Sequence, residues 1–319
     1  MTELAQKILA GNTRSIARAI SHVENDREGR EALIDELYPH CGKAIVWGIT
    51  GPPGAGKSSL VDRLIERLRT RGKSVAVIAV DPSSPFTGGA LLGDRLRMQK
   101  HAVDDGVFIR SMASRGHLGG LAGATADALR IFDAAGFDYI LVETIGVGQT
   151  EIEIMGLSDI VLLVLVPGAG DEIQALKAGV MEIGDIFIIN KRDLDGADKL
   201  RVQVEYVLGI KFAEQSDQMN PILMTSAIND EGVDDLMDSI GEYVERMKAS
   251  GKLANRREQR LQDEIKTILS AKIFAAFHDF MQMNGEIDTL VQEIVHDKQK
   301  PYALINAKID GFIKEMHTK

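Results

Sequence analysis

From Lys43 to about Ile228, short aliphatic runs alternate with longer stretches of helical periodicity. The runs are Ala44 to Thr50, Ser74 to Val80, Gly106 to Met112, Tyr139 to Glu143, Ile160 to Val166, Ile186 to Asn190 and Ile222 to Thr225. Continuous apolar runs of strand length, separated by helices, predict a largely parallel sheet covered on both faces. Before them, residues 1–42 read as two or three polar-faced helices. Gly11 and Asn12 break the first, Thr13 is available to cap the second, and Ile16, Ala19, Ile20 and Val23 line one face of it. From Glu231 the pattern is helical to the end: Leu261, Ile265, Ile268, Leu269, Ile273, Ala276, Phe277 and Phe280 keep a 3.6-residue period. Asn284 and Gly285 then stop the helix, and Pro301 opens another. That C-terminal apolar face needs a partner, and a second copy of the chain is the simplest one.

These textures divide the chain into an N-terminal helical extension (1–42), an α/β domain (43–250) and a C-terminal helical region (251–319). Composition narrows the classes further. With 37 basic against 47 acidic side chains the formal charge is −10, and the acidic excess lies before Ser250. This argues against a nucleic-acid-binding surface over most of the chain. The longest apolar run, Ile160 to Pro167, is of strand length, so no membrane span is expected. A single cysteine, Cys41, excludes an intrachain disulfide and a cysteine-based zinc cage, and fits a reducing, cytoplasmic setting. Lys7, Arg14, Ser15 and Arg18 faintly resemble a transit peptide, but an amphipathic helix accounts for the same segment.

Chemistry enters at Gly51-Pro52-Pro53-Gly54-Ala55-Gly56-Lys57-Ser58, which follows a strand, opens a helix and fits G-x-x-x-x-G-K-[ST]. Glycines let backbone N–H groups curl round phosphate oxygens, and the helix start, with Ser59 in its first turn, adds a favourable dipole. Lys57 is expected at the β- and γ-phosphates and the Ser58 hydroxyl on Mg²⁺. Pro52 and Pro53 stand where deviant P-loops carry an extra lysine, so completion of the site by a neighbour's P-loop lysine is not expected.

Asn190-Lys191-Arg192-Asp193 closes the strand Ile186 to Ile189 and matches the N-K-x-D motif. The Asp193 carboxylate is expected to accept from guanine N1 and N2, a donor pair that adenine lacks. Thr225-Ser226-Ala227, with Ile228 beyond it, ends the last strand, where small residues let backbone N–H groups approach guanine O6. Between these lies Glu143-Thr144-Ile145-Gly146, where a GTPase has D-x-x-G. Glu143 is expected to hold Mg²⁺ through water and the Gly146 N–H to sense the γ-phosphate. Val147 follows where Ras-like proteins have a glutamine, with Gln149 two places on, so the attacking water must be positioned by another group or by a partner. Asp81, directly after the second strand, and Asp94 are the candidates, against a turn cap for Asp81 and a surface pair with Arg97 or Lys100 for Asp94.

Asp81-Pro-Ser-Ser-Pro-Phe-Thr-Gly-Gly, Leu91-Leu-Gly-Asp-Arg, the Ser114-Arg-Gly-His-Leu-Gly-Gly loop, Glu143-Thr-Ile-Gly-Val-Gly-Gln and Asn190-Lys-Arg-Asp together resemble the MeaB/ArgK GTPases that accompany methylmalonyl-CoA mutase, over almost the whole chain. The resemblance implies a SIMIBI-type P-loop G domain that binds GTP or GDP with Mg²⁺ and hydrolyses GTP. It implies a G-protein chaperone that couples hydrolysis to adenosylcobalamin delivery, and to protection or reactivation, in an adenosylcobalamin-dependent acyl-CoA mutase. It also implies a homodimer through a C-terminal helical arm. By motif, Ser58, Asp81, Asp94 and Glu143 fall on the family's Mg²⁺ and hydrolysis positions, with Lys57 on the phosphates and Asp193 on the base. A third switch segment would be Gly168 to Lys177, with Lys177 at a position tied to mutase coupling; an ordinary turn capped by Asp171 is the alternative.

Other readings of the same residues stay open at this point. His117 in its glycine-flanked loop is either functional or a local hydrogen-bonding residue. His40 beside Cys41 is the remnant on which a metal-inserting GTPase would be argued. A protein kinase linked to amino-acid transport, passing the γ-phosphate to a protein, is the remaining rival.

Overall fold

The computed structural model describes residues 1–82, 99–101, 103–114, 120–144, 156–168, 180–211, 220–283 and 285–316. The chain divides into two compact units, Met1–Arg260 and Leu261–Lys319. In the first, the strands are β1 (Ile45–Thr50), β2 (Val75–Pro82), β3 (Val107–Ser114), β4 (Tyr139–Thr144), β5 (Ile160–Leu165), β6 (Ile186–Ile189) and β7 (Ile222–Met224). They form one sheet in the order β3-β2-β4-β1-β5-β6-β7, with every neighbouring pair parallel. Each expected aliphatic run is a strand within two residues of its expected ends, because runs this short cannot build a buried helix and satisfy their backbone by pairing within the sheet.

Three N-terminal helices, α1 (Glu3–Leu9), α2 (Thr13–Glu24) and α3 (Arg30–Leu37), pack with α5 (Gly120–Ala134) on one face of the sheet. There Ile8, Ile16, Ile20 and Leu37 share a core with Ile78, Ile140, Val142 and Phe132. The expected apolar face of α2 is the buried one. Its cap lies one residue earlier than expected: Asn12 Oδ1 accepts from Ser15 N at 2.9 Å, and Thr13 is the first helical residue. A cap must hold an extended backbone while its side chain turns back to the third amide, and Asn12 does both.

The other face carries α4 (Lys57–Thr70) and α7 (Val233–Ala249) against Trp47, Ile49, Val77, Leu162 and Ile188. A smaller core joins α6 (Ala197–Lys211) to Leu163, Leu165, Phe187 and Ile189. Alternate residues of β5 thus serve opposite cores, as strand pleating requires. Each buried Leu, Ile or Phe contributes about 1.5–3 kcal/mol relative to exposure.

One local device recurs at the opening edge of the sheet. Asp138, Asp159 and Asp185 each precede a strand and accept from the backbone N–H of Ser74 (2.9 Å), Val46 (3.0 Å) and Val161 (2.8 Å), respectively, where the neighbouring strand begins. At this edge the stem of α8 (Lys252–Met283) brings three arginines. Arg256 forks onto Asp185 (2.6 and 2.9 Å) and Arg257 onto Asp159 (2.9 and 2.5 Å), while Arg260 donates to Leu157 O at 2.8 Å. Tyr243 adds a hydroxyl to Asp185 at 2.8 Å. Burial and that carboxylate push the Tyr243 phenol well above its ordinary range.

The second unit holds the rest of α8 with α9 (Glu286–Val295) and α10 (Pro301–Met316). Phe312 sits edge-on to Phe277 and tilted to Phe280, with ring centroids at 5.3 and 5.4 Å. Leu261, Ile265, Ile268, Leu269, Ile273 and Phe274 on α8, and Ile305, Ile309 and Ile313 on α10, remain exposed.

Candidate guanine-nucleotide site

β1 is flanked by β4 and β5, and the chain leaves its C-terminal end as the loop Gly51 to Gly56 before entering α4. Three glycines shape this loop with φ of +141° (Gly51), +75° (Gly54) and +82° (Gly56). Two of them also need the space. A Cβ on Gly51 would collide with the Val164 carbonyl, and one on Gly56 would stand 2.5 Å from Asn190 Nδ2. Gly56 gives α4 no side-chain cap, and the first turn carries no acid, so its first amides are directed out of the helix. This is an anion-binding arrangement.

Lys57 is buried, and its Nζ donates to Gly51 O (2.7 Å) and Pro52 O (2.9 Å), bracing the rim of the loop. Pro53 and Gly54 are exposed at the tip, Ala55 is buried beneath it, and Ser59 is half-buried in the first helical turn. Ser58 Oγ donates to Glu143 Oε1 at 2.6 Å, with both side chains buried. Thr144 Oγ1 donates to Thr50 Oγ1 at 3.0 Å, fixing the end of β4 against the end of β1. The sequence-expected pair Ser58 and Glu143 is thus brought together at the mouth of the loop. Hard oxygen donors of this kind fit Mg²⁺.

Asp81 lies at the C-terminal end of β2, one residue past Val80, which is in register with Thr144. Its backbone therefore ends beside the strand that carries Glu143; its side chain lies outside the description. Asp94, His117, Gly146, Val147, Gln149, Asp171 and Lys177 also lie outside the described residues. Lys100 pairs with Asp62 (2.6 Å) and Glu66 (2.7 Å) on α4.

At the end of β6, Asn190 ties three segments together. Its Nδ2 donates to Ala55 O in the phosphate loop (2.8 Å), and its Oδ1 accepts from Thr225 Oγ1 and Ala227 N, each at 3.1 Å. Lys191 turns the chain with a left-handed φ of +57°, and Asp193 stands exposed, accepting from Ser226 Oγ at 2.5 Å. The amides of Thr225, Ser226 and Ala227, expected at guanine O6, already donate to Ile189 O, Glu231 O and Asn190 Oδ1. Ile228, 75% exposed, follows them.

Two arginines one helical turn apart on α4 hold this corner, and sequence reading missed both. Arg63 donates to Ala227 O (3.0 Å) and Ile228 O (3.4 Å), while Arg67 binds Asp230 (2.9 Å) and Asp234 (2.8 Å). Their i,i+4 spacing puts both on one face of α4 but does not say what that face meets. Cys41, next to His40, donates its thiol to Leu37 O (3.5 Å) and Arg130 O (3.4 Å). Burial, reinforced by Asp133, pushes that thiol up to about 11.

A phosphate loop leaving the parallel sheet at β1, joined through an asparagine to an acid-bearing corner, defines the class: a P-loop GTPase of α/β fold. The family described as methylmalonyl Co-A mutase-associated GTPase MeaB matches residues 16–282, and the chain belongs to that family. A Pyrococcus abyssi relative bearing a GTPase name is 47% identical over 307 residues, 94% of this chain and 93% of that protein. GTPase ArgK of Escherichia coli is 36% identical over 267 residues, 82% and 81% of the two chains. The mitochondrial methylmalonic aciduria type A homolog of Mus musculus is 31% identical over 311 residues, 92% of this chain and 75% of that protein. A crystal structure of an LAO/AO transport system kinase shares the fold, with a TM-score of 0.71 at 24% identity, covering 99% of this chain and 97% of that one. No helix among the described residues is long and apolar enough to cross a membrane.

Proposed function

We propose that this GTPase binds GTP and GDP between the Gly51–Ser58 loop and the Asn190–Asp193 corner, and that GTP hydrolysis switches its hold on an adenosylcobalamin-dependent acyl-CoA mutase. The observation that carries the nucleotide site is the Asn190 bridge, which joins the phosphate loop to Thr225 and Ala227 and so makes one site of two distant motifs. Lys57 and the first amides of α4 grip the phosphates, and Asp193 accepts from the guanine edge.

Ser58 and Glu143, with Asp81 and Asp94, would hold Mg²⁺, which supplies charge neutralisation on the phosphates when bound. Asp81 orients the attacking water. The water oxygen bonds to the γ-phosphorus as the bond from that phosphorus to the β–γ bridging oxygen breaks; the bridging oxygen leaves with GDP, and the proton shed by the water passes to the released phosphate or to solvent. The family's mutase association supports the partner, and hydrolysis there serves cofactor loading and protection or reactivation of the mutase. Lys177, in the third switch segment, carries the nucleotide state toward that partner. The exposed apolar stripe of α8 and α10 supports a homodimer through the C-terminal helical region, and the setting is cytoplasmic.

The test is co-purification with a methylmalonyl-CoA-type mutase, with and without a non-hydrolysable GTP analogue, beside phosphate release from GTP and ATP. Binding that ignores the nucleotide refutes the switch; equal turnover of ATP refutes the base assignment.

A further inference from the structure

The base-reading corner rests on α4, and the support is specific. The Arg63 guanidinium donates through Nε to the Ala227 carbonyl (3.0 Å) and through a terminal nitrogen to the Ile228 carbonyl (3.4 Å). It is itself held by Glu66 at 3.1 Å, and Lys100 holds that carboxylate from the far side at 2.7 Å. A trans peptide is planar, so a carbonyl aimed at Arg63 forces the N–H of the next residue the opposite way. Arg63 therefore turns the Ile228 N–H away from α4. The three preceding amides are spent inside the protein, whereas nothing among the described residues accepts from Ile228 N, and Ile228 is 75% exposed.

We infer that Arg63 is a positioning residue for base recognition, orienting the Ile228 amide as the donor that reads the 6-oxo group of a purine nucleotide. This rests on the proposed guanine site. It divides the reading of the base between two arms: Asp193 reads the N1 and 2-amino edge, and the Arg63-held amide reads the 6-oxo edge. A 6-amino group in that place would set donor against donor, so the same amide works against adenine.

The experiment measures the affinity of the full chain for GDP, for IDP, which lacks the 2-amino group, and for 2-aminopurine riboside diphosphate, which lacks the 6-oxo group and with it the N1 proton. Because the N1 loss is the same for every Arg63 variant, a change of that preference between them reads the 6-oxo contact. In Arg63→Met the preference for GDP over 2-aminopurine riboside diphosphate is expected to fall about tenfold, the scale of one hydrogen bond. The preference for GDP over IDP is expected to stay at the wild-type value. Arg63→Lys keeps the charge beside Asp230 and Glu66 but lacks the fork, and shows the same selective loss if the first variant folds poorly. Asp193→Asn instead lowers both preferences, because IDP lacks the 2-amino donor and 2-aminopurine lacks the N1 donor that Asp193 reads.

An unchanged 6-oxo preference in both Arg63 variants, or equal loss of both preferences, overturns the inference, since a merely structural arginine would weaken all three nucleotides alike. Wild-type protein that does not prefer GDP to ADP fails the site reading itself, an outcome separable from the Arg63 result.

Discussion

Replacing Asp159 by Asn tests whether the arginine stem of α8 is an energetic anchor of the sheet. Asp159 is fully buried and accepts from Val46 N (3.0 Å), Arg257 Nε (2.9 Å), an Arg257 terminal nitrogen (2.5 Å) and Arg260 (3.4 Å). Asparagine keeps the volume and one acceptor but removes the charge, and it turns an NH₂ toward guanidinium donors. Breaking one side of a buried ion pair costs about 3–5 kcal/mol. The Arg257 and Arg260 side chains are each 26% exposed and rehydrate in part, and Arg257 keeps Gly42 O and Ala44 O, so the lower end, about 3 kcal/mol, is expected. For a unit of this size that corresponds to a fall of about 6–12 °C in Tm.

The assay is thermal and urea unfolding of wild type, Asp159→Asn, Arg257→Met and the double variant at one fixed GDP concentration, because ligand shifts the midpoint. The double variant should lose about 1–3 kcal/mol less than the sum of the singles. GDP affinity should stay within about twofold, since Asp159 precedes β5 and the phosphate loop meets that strand near its other end, at Val164. A midpoint within 2 °C of wild type, or strict additivity of the pair, refutes the anchor.

Gly56→Ala combines a left-handed φ with a methyl group against Asn190, so it should cost about 1–2 kcal/mol in backbone strain and weaken GDP binding at least about tenfold; calorimetry showing wild-type affinity contradicts the tie between loop and corner. Ser58→Ala removes the hydroxyl paired with Glu143 and should abolish the Mg²⁺ dependence of GTP affinity while leaving Mg²⁺-free GDP binding intact, as read by titration with and without EDTA. Asp81→Ala should slow phosphate release much more than it weakens GTP binding, and unchanged turnover removes Asp81 from the hydrolytic step. The Cys41 thiol, raised from 9.0 to about 11, should be alkylated by iodoacetamide with a rate that climbs near pH 11 in the native protein and near pH 9 when unfolded. By linkage its contribution to stability is complete below pH 9 and is lost as pH rises through about 11; native alkylation at the unfolded rate at pH 9 would refute the burial.

Strands and motifs were legible because both depend on local signals. Ile160 to Val166 cannot be anything but a doubly covered strand once helices flank it, and G-x-x-x-x-G-K-S carries its own conformational demand in three glycines with positive φ. The cap of α2 was placed one residue late because Asn12 and Thr13 both have capping side chains, and only the turn taken by the backbone chooses between them. Arg63, Arg67, Arg256, Arg257 and Arg260 were not legible, although each is a plain surface cation in sequence. Their partners on other elements lie between 71 and 215 residues away, and no spacing rule spans that distance.

Taken alone, the sequence named the candidates for meeting a nucleotide: glycines for the phosphate turn, Lys57 and Ser58 at the helix start, Glu143 at the end of a strand, and Asn190 with Asp193 beyond another. It determined the alternation of strand and helix as well, since hydrophobic period is a property of consecutive residues. Only the tertiary structure decided that Asn190 bonds Ala55, Thr225 and Ala227 at once, that the amides of Thr225, Ser226 and Ala227 are spent within the protein, and that Arg63 donates to the Ala227 and Ile228 carbonyls. The reason is physical. Hydrogen-bond partners at the carboxyl ends of parallel strands are neighbours through the order of the sheet, and that order is set by packing on both faces and not by position along the chain.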